Sequence, residues 1–262
     1  MNIRPAAVAN LFYPGDASAL HHDIQQYIAT APSGDHAPKA LIVPHAGYMY
    51  SGLIAAQAYA QLAHARHTIK RVVLLGPSHR VPLRGLAVPG VDYFETPLGN
   101  IPLDRKAISK IVQLPQVQEY DLSHQQEHSL EVQLPFLQEM LDSFSIVPIV
   151  VGDTRAHEVH EVIEALWGGE ETLIVISSDL SHYHDYATAR TMDAKTCAAI
   201  ENLDTEAIEY DDACGRNPVI GLLESARERH LRVTTLDLRN SGDTAGSKER
   251  VVGYGAWMFE ET

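Results

Sequence analysis

The chain has 262 residues, 45% of them hydrophobic and 21% charged, which is enough apolar material for a sizeable core. Thirty-four acidic against 20 basic residues give a net charge of -14. Such a surface repels phosphate backbones and anionic lipid headgroups, so neither nucleic acid nor membrane is expected as a partner. MNIRPAAVANLFYPGD lacks the charged start and apolar core of a secretion signal, and no apolar run approaches the roughly 20 residues of a spanning helix. Two cysteines, Cys197 and Cys214, are too few for a disulfide framework, and a cytoplasmic protein is expected.

Apolar runs alternate with helical patterns along the chain. ALIVPHA (40–46), RVVLLGPSH (71–79), GLAVPG (85–90), FSIVPIVVGD (144–153), ETLIVISSDLSH (171–182), LRVTTLDL (231–238) and RVVGYGAW (250–257) read as strands. They are Val-, Ile- and Leu-rich without clean alternation, as strands covered on both faces are. Helices are predicted at roughly 50–64, 104–113, 128–142, 155–167, 186–201 and 217–229. In the third, Leu130, Leu134, Leu137 and Leu141 mark one buried face. The pattern predicts one α/β domain over residues 1–262, a layered sandwich with a largely parallel or mixed central sheet. The turn-rich loop APSGDHAP (31–38) is too short to divide it.

Fourteen histidines are many for this length, and three of them end strands. LIVP runs into His45, VVLLGPS into His79, and LIVISSDLS into His182, with Asp179 three residues earlier. Parallel strands would bring these groups to one carboxyl edge, where open α/β sheets bind ligands. A single strand-end histidine is more often a hydrogen-bonded loop residue; three in similar settings predict a site.

DLSHQQEHSLEVQLPF (121–136) contains His124-Gln-Gln-Glu127-His128, which matches the H-x-x-E-H pattern of inverted zinc peptidases. That chemistry needs both histidines on one helical face, yet the periodic helix starts near His128 and leaves His124 in a loop. Peptidase chemistry is therefore disfavoured. Glu127 and His128 at the helix start can still face the pocket, Glu127 as a contact to substrate; otherwise Glu127 complements the helix dipole. In LRNSGDTAGSKERVVGYG (238–255), Asp243 is either a polar turn residue or a carboxylate completing a set with His45 and His79. Two imidazoles and one carboxylate form the facial arrangement suited to non-haem iron(II), while zinc, manganese or copper also fit the donor types.

RPAAVANLFYP, VPHAGYMYSG, LGPSH, EHSLEVQLPFL, ISSDLSHY, CGRNP and NSGDT together resemble the MEMO1 family, called AmmeMemoRadiSam system protein B in bacteria and archaea. The resemblance spans residue 4 to about 257. It implies a fold like that of class III extradiol dioxygenases, the LigB-like fold, with iron(II) on two strand-end histidines and an acidic residue. Carried over by motif, His45 and His79 look like metal ligands, His182 supported by Asp179 like the acid/base, and His128 like a second pocket histidine. Some eukaryotic members supply a cysteine where this chain reads NSGDT, so a thiolate site is in doubt here; Asp243 is assigned by position and chemistry. Cys214 of CGRNP is the competing soft donor, against its reading as a buried thiol at a helix start.

Two functions follow as expectations. In one, the protein is a metal-dependent oxidoreductase opening a catechol-like ring with O2, with His182 moving the proton and Asp179 orienting it. In the other, it holds metal without turnover and acts with radical SAM and AMMECR1-like partners, since fold kinship is not activity.

Overall fold

A computed structural model describes residues 2–34 and 37–261; Asp35 and His36, in the loop expected at 31–38, lie outside the described residues. In chain order the strands and helices are β1 (Ile3–Arg4), α1 (Ala17–Ala29), β2 (Ala40–Val43), α2 (Tyr48–Tyr59), β3 (Arg71–Pro77), β4 (Leu86–Val88), β5 (Tyr93–Thr96) and β6 (Gly99–Pro102). There follow α3 (Arg105–Ile111), β7 (Val117–Glu119), α4 (Leu122–Gln125), α5 (Leu134–Met140), β8 (Ser145–Val151), α6 (Ala156–Leu166) and β9 (Thr172–Ser177). The last elements are β10 (His182–His184), α7 (Tyr186–Glu201), α8 (Arg216–Glu228), β11 (Arg232–Asn240) and β12 (Val251–Glu260).

The main sheet has the order β10-β12-β2-β9-β3-β8-β4-β7, with β11 on β12. Its centre is parallel: β2 pairs with β9, β9 with β3, and β3 with β8. The flanks are mixed, because β12 runs antiparallel to β2, and β11 and β10 antiparallel to β12. A chain of one α/β layer structure, with helices packed on a mixed sheet, is thus what the alternating pattern predicted. β2 and β9 are buried at every position, and β3 and β8 at all but the first. That double burial is why their sequences lack a polar face. Over the sheet, α8 lies on β3 and β9 and packs against α6, while α2 lies on β2 and β12.

Boundaries moved where local geometry overrode periodicity. The helix expected over 128–142 is α5, Leu134–Met140, preceded by one 3-10 turn at Glu131–Gln133. Pro135 falls in its first turn, where a missing N–H costs nothing. Leu130, Leu134, Leu137 and Leu141 are nevertheless all buried, so the leucine spacing reported burial correctly and helix length incorrectly. The helix expected at 50–64 starts at Tyr48 and tightens into a 3-10 segment at Ala60–Ala65. A small sheet, β1-β5-β6, was not foreseen; its strands are two to four residues long. Among the described residues no helix is long and apolar enough to cross a membrane.

Candidate metal centre

Because β2, β9 and β3 are parallel neighbours, their carboxyl ends lie side by side. Val43 is paired with Ser177, and Ile176 with Leu75, so the residues that follow arrive at one edge. Pro44 then turns the chain into His45, Ser178 leads to Asp179, and Ser78 to His79. The third imidazole comes from the loop before α5. Gly76 lets that loop approach β3: a Cβ there would stand 2.8 Å from Ser129 Oγ and 2.9 Å from Leu130 Cδ2. His128 is carried on that loop, and its ring stacks on His79 with centroids 4.6 Å apart.

His45, His79 and His128 each offer a donor nitrogen, and these atoms all lie within 4.8 Å of one another. The ring centroids of His45 stand 5.2 Å from His79 and 5.5 Å from His128. The hydrogen bonds behind the rings settle which nitrogen faces forward. Ser177 Oγ donates to the Ser129 carbonyl at 2.5 Å and accepts from Gln133 Nε2 at 2.8 Å. Its remaining lone pair accepts from His45 Nδ1 at 2.9 Å, so His45 carries its proton on Nδ1 and presents a bare Nε2. His79 Nδ1 likewise meets Glu127 Oε1 at 2.9 Å, while the His79 and Ser129 amides donate to the same carboxylate at 2.6 and 2.9 Å. An ionised carboxylate only accepts, so Nδ1 donates and Nε2 is the nitrogen that a neutral ring offers as a lone-pair donor. Carboxylate and hydroxyl partners behind imidazoles are the usual means of orienting metal-binding histidines.

The charges agree with that arrangement. Burial, followed by the neighbouring His79 and His128 charges, holds the His45 imidazole well below its ordinary range. Burial lowers His128 to about 4, against the opposing pull of Glu127. For Glu127 burial works upward, but the hydrogen bonds and charge of His79, with the amides of His79 and Ser129, outweigh it and leave the carboxyl at about 2. A neutral His45 and His128 beside an ionised carboxylate are in the protonation states that metal ligation requires. The residues present therefore fit a metal ion.

The structure distributes the expected site residues unequally. His45 and His79 come together as expected. Their companion is His128; Asp243 is elsewhere. Asp243 is exposed in a 3-10 turn after β11, where Tyr186 Oη donates to it at 2.5 Å and the Asn240 amide at 3.1 Å. β11 is the outer partner of β12, two strands removed from β2, and Asp243 is not among the residues whose donor atoms gather at the imidazoles. Glu127, expected to touch substrate, is buried behind His79. Asp179, expected to support His182, accepts from the His45 amide at 2.7 Å; burial raises its carboxyl above the usual range, against the His45 amide and the nearby His182 charge. His182 is half-buried at the start of β10 and lines the cleft with His79 and Cys214. His124 lies apart: its Nε2 faces the Ala87 carbonyl at 3.0 Å, so the two-histidine geometry of a zinc peptidase is not formed.

Cys214 has a larger part than a helix-start thiol. Its Sγ lies 3.3 Å from His45 Nε2 and accepts from the Asp179 amide at 3.3 Å. Gly215 permits this closeness, since a Cβ there would meet Ser178 Cβ at 2.6 Å. Burial, with the Asp179 charge, pushes the thiol well up, so the sulfur is protonated. Ser177 and Gln133, which fix His45, were not foreseen. Ser177 could have been found from the parallel register opposite Val43; nothing in the sequence marks Gln133.

Fold and site together define an α/β protein with a strand-edge imidazole cluster able to hold a metal ion. The chain belongs to the MEMO1 family: the family model described as Memo-like protein matches residues 4–258. A MEMO1 family protein of Aquifex aeolicus is 37% identical over 99% of this chain and 100% of its own length. Its counterpart in Ignicoccus hospitalis is 38% identical over 99% of each chain. The crystal structure of an uncharacterized protein from Escherichia coli K12 is 14% identical, covers 85% of this chain and all of its own, and gives a TM-score of 0.55. That likeness is one of fold.

Proposed function

We propose that the protein binds one divalent first-row transition metal ion, iron(II) in the first instance, on His45, His79 and His128, and uses it as an oxidoreductase on a catechol-like ring. The observation that carries the reading is the pair of fixed tautomers: Ser177 and Glu127 leave His45 and His79 with bare Nε2 atoms within reach of His128. Imidazole nitrogens suit iron, zinc and copper, and three protein donors leave positions open. When bound, a redox-active ion held by these residues would supply open coordination and electron transfer for chemistry between an oxygen-bearing ring and dioxygen.

The chain's own residues do the rest. The cleft beside the centre holds about 910 Å³ and admits a single-ring substrate. His182, on its wall, takes the hydroxyl proton of the entering ring and returns it to the product. Cys214, kept as a thiol, stands 3.3 Å from His45 Nε2 at the edge of the proposed site. The test is metal content and oxygen uptake with catechols for wild type and His45→Ala. Stoichiometric iron(II) and catechol-dependent uptake, both lost in the variant, are expected. A wild type without metal, or a variant that keeps it, overturns the proposal. Metal held tightly with no uptake replaces turnover by metal holding, the reading in which partner proteins act on the loaded form.

A further inference from the structure

Of the three imidazoles at the centre, His128 lacks what the other two have. Ser177 stands behind His45 and Glu127 behind His79, each meeting the ring at Nδ1. His128 Nδ1 is buried and has no hydrogen-bond partner among the described residues; Glu127 Oε1, 3.4 Å away, makes none. Its ring is held by packing, with His79 at 4.6 Å and Phe12 at 4.7 Å between centroids. The backbone that carries it is equally short of support, since residues 126–130 belong to no helix or strand.

The missing support comes from the start of the chain. Arg4 is 4% exposed and spreads its guanidinium across that loop. Its Nε donates to the His124 carbonyl at 2.6 Å and Nη2 to the carbonyl of the Glu127–His128 peptide at 2.8 Å. Nη1 donates to Glu131 Oε2 at 2.6 Å. Buried, charge-assisted contacts from a rigid fork hold backbone groups more firmly than neutral ones. Glu131 in turn accepts from the amides of Ala7 and Val8 at 2.8 and 2.9 Å and from Tyr13 Oη at 2.6 Å. Between those anchors lies Phe12, whose carbonyl accepts from the Tyr48 amide at 2.7 Å, three residues past His45. One segment therefore touches both the His45 turn and the His128 loop.

We infer that residues 4–13 form a strap that positions His128 against His45 and His79, with Phe12 setting its ring and Arg4 its backbone. The inference rests on the proposed reading in taking His128 as a donor; it adds what holds that donor in place. Arg4→Ala is a poor probe because it leaves the buried Glu131 carboxylate unpaired. Phe12, only half-buried, spares that pair. The experiment is anaerobic iron(II) affinity by chelator competition for wild type, Phe12→Ala, His128→Ala and the double variant, with crystal structures of metal-free wild type and Phe12→Ala.

Phe12→Ala is expected to weaken iron(II) about tenfold, as loss of support behind a ligand does, and Phe12→Tyr to restore it. In the His128→Ala background the same change should cost less than about twofold, the mark of two residues acting through one contact. Arg4→Lys, which keeps a cation beside Glu131 but gives up the fork, should lose part of the affinity. The metal-free Phe12→Ala crystal should show the His128 ring displaced, with His45 and His79 in place. An unmoved His128, an unchanged affinity, or a loss that persists undiminished without His128 overturns the inference. A displaced His128 in a protein that takes up no iron supports the strap while removing the metal reading.

Discussion

The carboxyl edge of β2 and β3 and the turn after β11 are built from similar sequence, an apolar strand running into a polar turn, and only the first delivers donors to the centre. In the parallel core each strand sits directly beside the next, so His45 and His79 meet at one edge with Asp179 between their strands. β11 runs in the same direction as β2 but lies beyond β12, two inter-strand steps of about 4.8 Å each. Its carboxylate, Asp243, is captured locally by Tyr186 and Asn240. Position along a strand locates a group along the sheet; only strand order says how far across the sheet it lies.

The largest expected effect breaks or confirms that contrast directly. His45→Ala is expected to lower metal affinity by more than about a hundredfold, while Asp243→Asn changes it by less than about twofold, measured by competition with a chelator. A large loss in the Asp243 variant would return the flank to the centre. Next comes the support behind the rings. Glu127→Gln removes the ionised acceptor of His79 and is expected to weaken metal binding about 10- to 100-fold without changing stoichiometry.

A third prediction concerns pH and the histidine that the centre leaves out. Burial, against the opposing Ala87 hydrogen bond, holds His124 at about 3, below its ordinary 6.5. The unfolded chain then binds more protons than the folded one between these values, so folding stability falls as pH drops from about 6.5 toward 3. Asp193, raised to about 6 by burial, opposes this between its ordinary 3.8 and that value. His124→Gln, which keeps a donor for Ala87, is expected to flatten the acid slope of denaturant unfolding relative to the parent; an unchanged slope would contradict it. The smallest effect is Ser177→Ala, which leaves Gln133 and His45 without their shared acceptor. Roughly 1–3 kcal/mol of stability and about tenfold in metal affinity are expected to go.

Much of this was legible in the sequence, and for identifiable reasons. Apolar runs without a polar face announced the parallel strands, and turns rich in proline and glycine placed His45 and His79 beyond them. The resemblance to MEMO1 proteins, carried by the PHAGY and EHSLEVQLPFL stretches, agrees with the family match over residues 4–258. What stayed hidden depended on strand order and on backbone detail. His128 was legible as a pocket residue, but its place among the donors depends on a loop that Gly76 admits. The exclusion of Asp243 follows from β12 being inserted between β11 and β2. Cys214 met His45 Nε2 through the close start of α8, which no spacing along the chain encodes.

Anomalous scattering from crystals soaked in iron(II) without oxygen tests the central claim in one step. A single peak bounded by His45, His79 and His128, with Asp243 outside its coordination, is the predicted result. No peak at the imidazoles, or one beside Asp243, would contradict the account.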